Sequence, residues 1–168
     1  MKELDTLGVM LCSYQADIFS SSLTKTRCSS KVFLRRFFYS EFAFYLDEVE
    51  KKVYSFDIDE CYASLKEEYG DSTYGKEKLP EPVLHYIGYL TRYICYTREV
   101  NSMLLFRTFK IDDFIKNYEV WHTQSEEYAV KELLNLYNLD ESYFDLECRL
   151  KTFLRNINML ETADDYII

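Results

Sequence analysis

Tyr86-Ile87-Gly88-Tyr89-Leu90-Thr91-Arg92-Tyr93-Ile94-Cys95-Tyr96-Thr97-Arg98-Glu99 is the stretch whose reading decides the fold. It reads as a helix that mixes apolar residues with four tyrosines, two arginines and a glycine. A plain core helix has no need of so many hydroxyls and guanidinium groups. Each Tyr OH and each Arg fork on it requires a hydrogen-bond partner, from the fold or from a ligand. The stretch names no reaction, and neither does the rest of the chain.

Working outward, Pro80 and Pro82 sit where a helix start tolerates proline, so this helix is expected to open there and run to about Thr97. Gly70 to Lys78 precedes it as the clearest loop. Upstream, Leu4, Leu7, Leu11, Tyr14 and Ile18 recur at spacings of three and four and predict a helix over 4–24. Ser29 or Ser30 caps a second, from Lys31 to about Leu46, apolar on most sides and therefore central. Val53-Tyr54-Ser55-Phe56 alternates and predicts one short strand or hairpin. Asp57 or Asp59 caps a helix to about Tyr69. Asn101 to Phe109 reads as a short helix, and Asp112 caps another through Trp121. Thr123 or Ser125 caps the next, to about Tyr137, and Asp140 starts the last. Residues 162–168 read as a flexible acidic tail. The expected fold is all-α: a single-domain bundle of roughly six to eight helices over residues 1–168.

Composition agrees with this. Gly 4 and Pro 2 in 168 residues leave few positions for turns. Sixteen Tyr and twelve Phe predict an aromatic-rich core. Sixteen hydroxyls also exceed what such a core can satisfy, so some tyrosines are expected at the surface. The five cysteines include no CxxC pair and are odd in number, which reads as reduced thiols. With no secretory h-region after Met1 and no apolar run of membrane length, the expected location is cytoplasmic, away from membranes.

The net charge is −9, and it is unevenly placed. Residues 1–110 carry 15 basic and 16 acidic side chains, residues 111–168 carry 5 and 13. An acidic surface argues against direct nucleic-acid binding and favours a basic partner; the simpler reading of such a face is solubility.

Metal binding finds no support in the spacing. His85 and His122 are the only histidines, and no cysteine pair has finger spacing. Asp57-Ile58-Asp59-Glu60 lacks the glycine and terminal Glu of a calcium loop. Gly70-Asp71-Ser72-Thr73-Tyr74-Gly75-Lys76 is followed by Glu77 where a phosphate loop needs Ser or Thr, so it reads as a surface turn. Cys95 with His122 is a thiol–imidazole pair only in principle, since a cysteine in an apolar helix is ordinarily inert. No cofactor is indicated.

One constellation offers a ligand site: Arg35, Arg36, Tyr89, Arg92, Tyr93, Tyr96, Arg98, His122 and Gln124. Arg92 and Tyr96 share a helix face with Tyr89. If these groups converge, they form a cationic, hydroxyl-lined concavity for a phosphate or carboxylate. The competing reading pairs each arginine internally, with Glu41, Asp47 or Glu99, and it is the one favoured. A second set suits a partner surface: Trp121 as an aromatic anchor, with Glu126, Glu127, Glu132, Asp140, Glu141, Asp145 and Glu147 as steering acids.

Several strings resemble a small helical family of bacterial toxin–antitoxin or mobile-element neighbourhoods. They are Ser30-Lys31-Val32-Phe33-Leu34-Arg35-Arg36-Phe37, Tyr74-Gly75-Lys76, Ile87-Gly88-Tyr89 with Arg92-Tyr93, and His122-Thr123-Gln124. The resemblance spans about residues 10–135 and stops short of the acidic last third. It implies an accessory or antitoxin-like role and carries over no catalytic residue. The expected function is therefore a non-catalytic, antitoxin-like or inhibitory module that occludes a basic surface of a partner protein. A small-molecule or nucleotide-phosphate domain or enzyme using the Arg/Tyr/His set is the alternative. A phage-encoded inhibitor of a host defence protein is a third reading, sharing the mechanism of the first. A homodimer suits the exposed aromatics as well.

Overall fold

The computed structural model describes residues 1–48 and 57–145. Within them the chain is all-helical. α1 (Thr6–Lys25), α2 (Ser30–Tyr39), α3 (Glu41–Asp47), α4 (Ile58–Tyr69), α5 (Glu81–Arg98), α6 (Ser102–Thr108), α7 (Ile111–Trp121) and α8 (Glu126–Leu136) follow in order, and a further helical turn covers 142–145. The strand expected at Val53–Phe56, the acid Glu147 and the tail at 162–168 lie outside the described residues. No described helix is long and apolar enough to cross a membrane.

Short polar side chains set most of the helix starts. Asp5, Ser29, Ser40, Asp57, Asn101 and Ser125 each accept a backbone N–H of the first turn they precede. Each satisfies a donor that the helix geometry leaves without a partner. α7 departs from expectation: it begins at Ile111 with no side-chain cap, and Asp112 sits in the first turn instead. A second departure is larger. The run from Lys31 to Leu46 is two helices rather than one, broken at Ser40. The Ser40 hydroxyl donates to the Phe37 carbonyl and accepts from Ala43 N–H. One residue thereby closes α2 and opens α3, while its extended backbone turns the chain.

α5 packs antiparallel on α1, the most extensive helix–helix contact of the fold. Lys2 N–H donates to Thr97 O at one end, and Gln15 Nε2 donates to Gly88 O at 3.1 Å in the middle. The close approach requires Gly88: a Cβ there would lie 2.7 Å from Ala16 Cα and 2.8 Å from Gln15 O. At the far end the Lys78 ammonium donates to Ser22 O, Thr26 O and Thr26 Oγ1, a cation placed on the C-terminal carbonyls of α1.

The core is aromatic, as the composition predicts. Phe19 of α1 meets Phe33, Phe37 and Phe38 of α2 edge-on, with centroids 4.8–5.7 Å apart. Phe38 then stacks on Phe106 of α6 at 5.0 Å. Edge-to-face contacts align ring quadrupoles favourably and add to the area buried. Cys12, Cys28, Cys61 and Cys95 are buried thiols outside any disulfide, and burial pushes the Cys12 thiol up to about 12. These are packing residues, not nucleophiles.

Candidate functional site

The nine residues of the Arg/Tyr/His set do not meet in one place. Arg92 is 1 % exposed and lies inside the bundle. Its Nε donates to Gln15 Oε1 at 2.8 Å, one terminal nitrogen to Asp47 Oδ1 at 2.7 Å, and the other to Ser102 Oγ at 2.9 Å. Asp47 also accepts the Ser102 N–H and hydroxyl. Burial works against the charge on Arg92; the Asp47 carboxylate acts the other way, and the guanidinium pKa lies above its ordinary value. This hub ties α1, α3, α5 and α6 together and leaves no side for a ligand. The sequence favours internal pairing of the arginines with Glu41, Asp47 or Glu99; for Arg92 the fold supplies Asp47.

Arg98 also pairs internally, with Glu141 rather than with Glu99. Two of its nitrogens reach the two carboxylate oxygens of Glu141 at 3.2 and 2.8 Å. Its third donates to Thr97 Oγ1, and the guanidinium lies over the Tyr93 ring. The Tyr93 hydroxyl donates to Glu127 at 2.6 Å and holds that carboxyl below its usual range. Tyr96 is taken by Asp5, at 2.7 Å, with the Lys2 ammonium over its ring. Arg36 donates to Gly70 O and lies over the Tyr69 ring, while Arg35 is exposed on α2.

The remaining three, Tyr89, His122 and Gln124, do come together, in a pocket of about 650 Å³. α5 supplies Glu81, Pro82, His85, Tyr86, Tyr89 and Leu90; α7 supplies Tyr118 and Trp121. The turn into α8 adds His122, Gln124, Ser125 and Glu126. Both histidines of the chain therefore line one pocket, although they are distant in sequence. Trp121, expected as an exposed anchor, is 3 % exposed. It packs edge-on against Phe114 and forms part of the pocket wall.

No protein-family model matches the chain, and no curated protein or solved structure matches it. What the pocket can do is therefore read from its chemistry. The rings form an array: Tyr86 meets Tyr118 edge-on at 5.5 Å, and Tyr118 stacks on His122 at 4.4 Å. His122 Nδ1 lies 2.6 Å from Tyr118 O. A carbonyl oxygen can only accept, so Nδ1 carries the proton, and in the neutral ring Nε2 keeps a free lone pair. His85 Nε2 stands 3.8 Å from Asp17 Oδ1 at the outer side of α5. Glu126 is half-buried, and its negative charge helps burial to raise the pKa values of the Tyr86 and Tyr89 hydroxyls. The Tyr86 hydroxyl is sealed from solvent with no hydrogen-bond partner among the described residues. Neither Lys nor Arg lines the pocket, and no group of His, Cys, Asp and Glu among the described residues is arranged to hold a metal ion. Cys95 is elsewhere, buried near Ser102, and does not pair with His122.

Sequence reasoning missed His85, Tyr86, Tyr118 and Glu81 as members of a site. The local signal available was the i, i+1, i+4 run His85, Tyr86, Tyr89 on one side of α5 after the prolines.

Proposed function

We propose that the protein is a non-catalytic binding module, antitoxin-like or inhibitory, that occludes a basic surface of a partner protein such as a toxin or a host-defence protein. What supports this reading is the outer surface of α7, α8 and the residues after them. Glu119, Glu127, Asp140, Glu141 and Asp145 are exposed there, together with the apolar side chains Val120, Tyr128 and Leu136, which are 42–56 % exposed. The two buried arginines, meanwhile, spend their charge on interior carboxylates or on Glu141. The surface is thus acidic with apolar residues interspersed, a pattern that steers a cationic partner and anchors it on contact. Tyr128 takes the anchoring role that the buried Trp121 cannot fill.

The triple variant Glu119→Gln, Glu132→Gln, Asp145→Asn tests the electrostatic part, because it leaves the Tyr93–Glu127 and Arg98–Glu141 contacts in place. Its association rate with the captured partner should fall by about tenfold at low salt and lose most of its salt dependence. An unchanged rate would remove steering from the account.

A further inference from the structure

The pocket between α5, α7 and the start of α8 has a chemistry distinct from the acidic outer surface, and it stands independently of the partner reading. Its walls are aromatic: Tyr86, Tyr89, Tyr118 and Trp121. Its charged groups are carboxylates, Glu126 and Glu81, with neither lysine nor arginine among its lining residues. The Glu126 carboxylate is half-buried and close enough to the Tyr86 and Tyr89 hydroxyls to oppose their ionisation. No ion pair or hydrogen bond engages it among the described residues. The His122 ring, with Nδ1 tied to Tyr118 O, offers Nε2 as an acceptor when it is uncharged. An acceptor-rich, anionic pocket with ring faces is complementary to a cation that carries several N–H donors, and it repels a phosphate. Ring faces attract such a cation through their quadrupoles, and a planar guanidinium both stacks and donates in a fork. The volume of about 650 Å³ falls within the range of small-ligand sites.

We propose that this pocket binds an organic cation of the guanidinium or alkylammonium class. Glu126 supplies the counter-charge, and Tyr86, Tyr89 and Tyr118 supply the aromatic wall. The same chemistry is presented by a free amine and by an arginine side chain of a bound protein.

Trp121 is the only tryptophan of the chain and lies in the pocket wall, so its emission reports occupancy. Wild-type protein is titrated with agmatine, with an N-acetyl-arginine-amide peptide and with inorganic phosphate, at constant ionic strength. The expected result is a saturable change with the two cations and none with phosphate. Tighter binding of agmatine assigns the site to a free amine, and tighter binding of the arginine peptide assigns it to a partner's side chain. Glu126→Gln should weaken either cation by about tenfold or more, as loss of a single charge-assisted contact does. Tyr86→Phe keeps the ring and the packing and removes only a hydroxyl sealed from solvent, so it should leave cation binding unchanged. Both variants are checked for native circular dichroism and melting. Absence of a saturable change with either cation in the wild type, saturation with phosphate, or unchanged affinity in folded Glu126→Gln would each overturn the assignment.

Discussion

Arg92 and Asp47 form an ion pair at 2.7 Å in which both side chains are withdrawn from water, 2 % and 8 % exposed. The pair joins the end of α3 to the middle of α5; the other two guanidinium nitrogens donate to Gln15 and Ser102, and the other Asp47 oxygen accepts the Ser102 N–H. Truncating one member leaves the other as a buried charge without compensation, which costs about 3–5 kcal/mol. Asp47→Ala should therefore lower the unfolding free energy by that amount, read as a lower urea midpoint at an unchanged slope. By contrast, Glu141 is 56 % exposed where it meets Arg98, so Glu141→Gln should change stability by no more than about 1 kcal/mol. Equal losses for the two variants would mean that the Arg92 hub is hydrated.

Gly88 lies where α1 and α5 approach most closely, and the atoms a Cβ would meet belong to the backbone of Ala16 and Gln15. Alanine gains helix propensity at this position, worth about 1 kcal/mol. Forcing two buried helices apart costs about 1–3 kcal/mol and strains the Gln15–Gly88 hydrogen bond as well. Gly88→Ala should accordingly be net destabilising in thermal unfolding. A higher melting temperature would show that the two helices can separate without loss.

Tyr86→Phe should act in the opposite direction on stability. Its hydroxyl is buried without a partner, and a group of this kind costs about 1–3 kcal/mol of desolvation. Its removal should leave the protein equally stable or stabilise it by about 1 kcal/mol, as read by urea unfolding. A clear loss of stability would mean that the hydroxyl is bonded to water inside the fold.

Stability should fall at both ends of the pH range. The Gly8 N–H and the Tyr96 hydroxyl lower the Asp5 pKa, the Lys31 ammonium lowers Asp112, and the Tyr93 hydroxyl lowers Glu127. A carboxylate with a depressed folded pKa stabilises fully above its unfolded value, ordinarily 3.8 for Asp and 4.5 for Glu. That contribution is lost as pH falls through the folded values. Tyr93 and Tyr69 are pushed up to about 12, mainly by burial, from an ordinary 10. The unfolded chain loses these protons first, so stability should also decline between pH 10 and 12. Urea midpoints measured across this range should plateau near neutrality, and a midpoint that still rises from pH 10 to 12 would contradict the tyrosine assignment.

Much of the helix order is legible in the sequence because it is encoded locally. Pro80 and Pro82 open α5, and short polar caps such as Asp57 and Ser125 open others. The Ser40 break is not legible, since Val32 to Leu46 is apolar on most sides and one serine within it carries no periodic signal. Helical spacing groups Arg92 with Tyr89 and Tyr96, but it is silent about Asp47, which arrives from a separate helix to claim the guanidinium. The pocket depends on how α5 crosses α7. His85 and His122, or Tyr86 and Tyr118, become neighbours only through that crossing, so residue types alone do not reveal it.

Capture from the native host tests whether the chain binds and covers a basic surface of another protein. The tagged protein is purified after nuclease treatment, washed through a salt gradient, and its companions identified by mass spectrometry. One stoichiometric protein with a basic surface is expected, released by salt and captured poorly by the Glu119→Gln, Glu132→Gln, Asp145→Asn variant. A clean monomer or homodimer with no companion would contradict it.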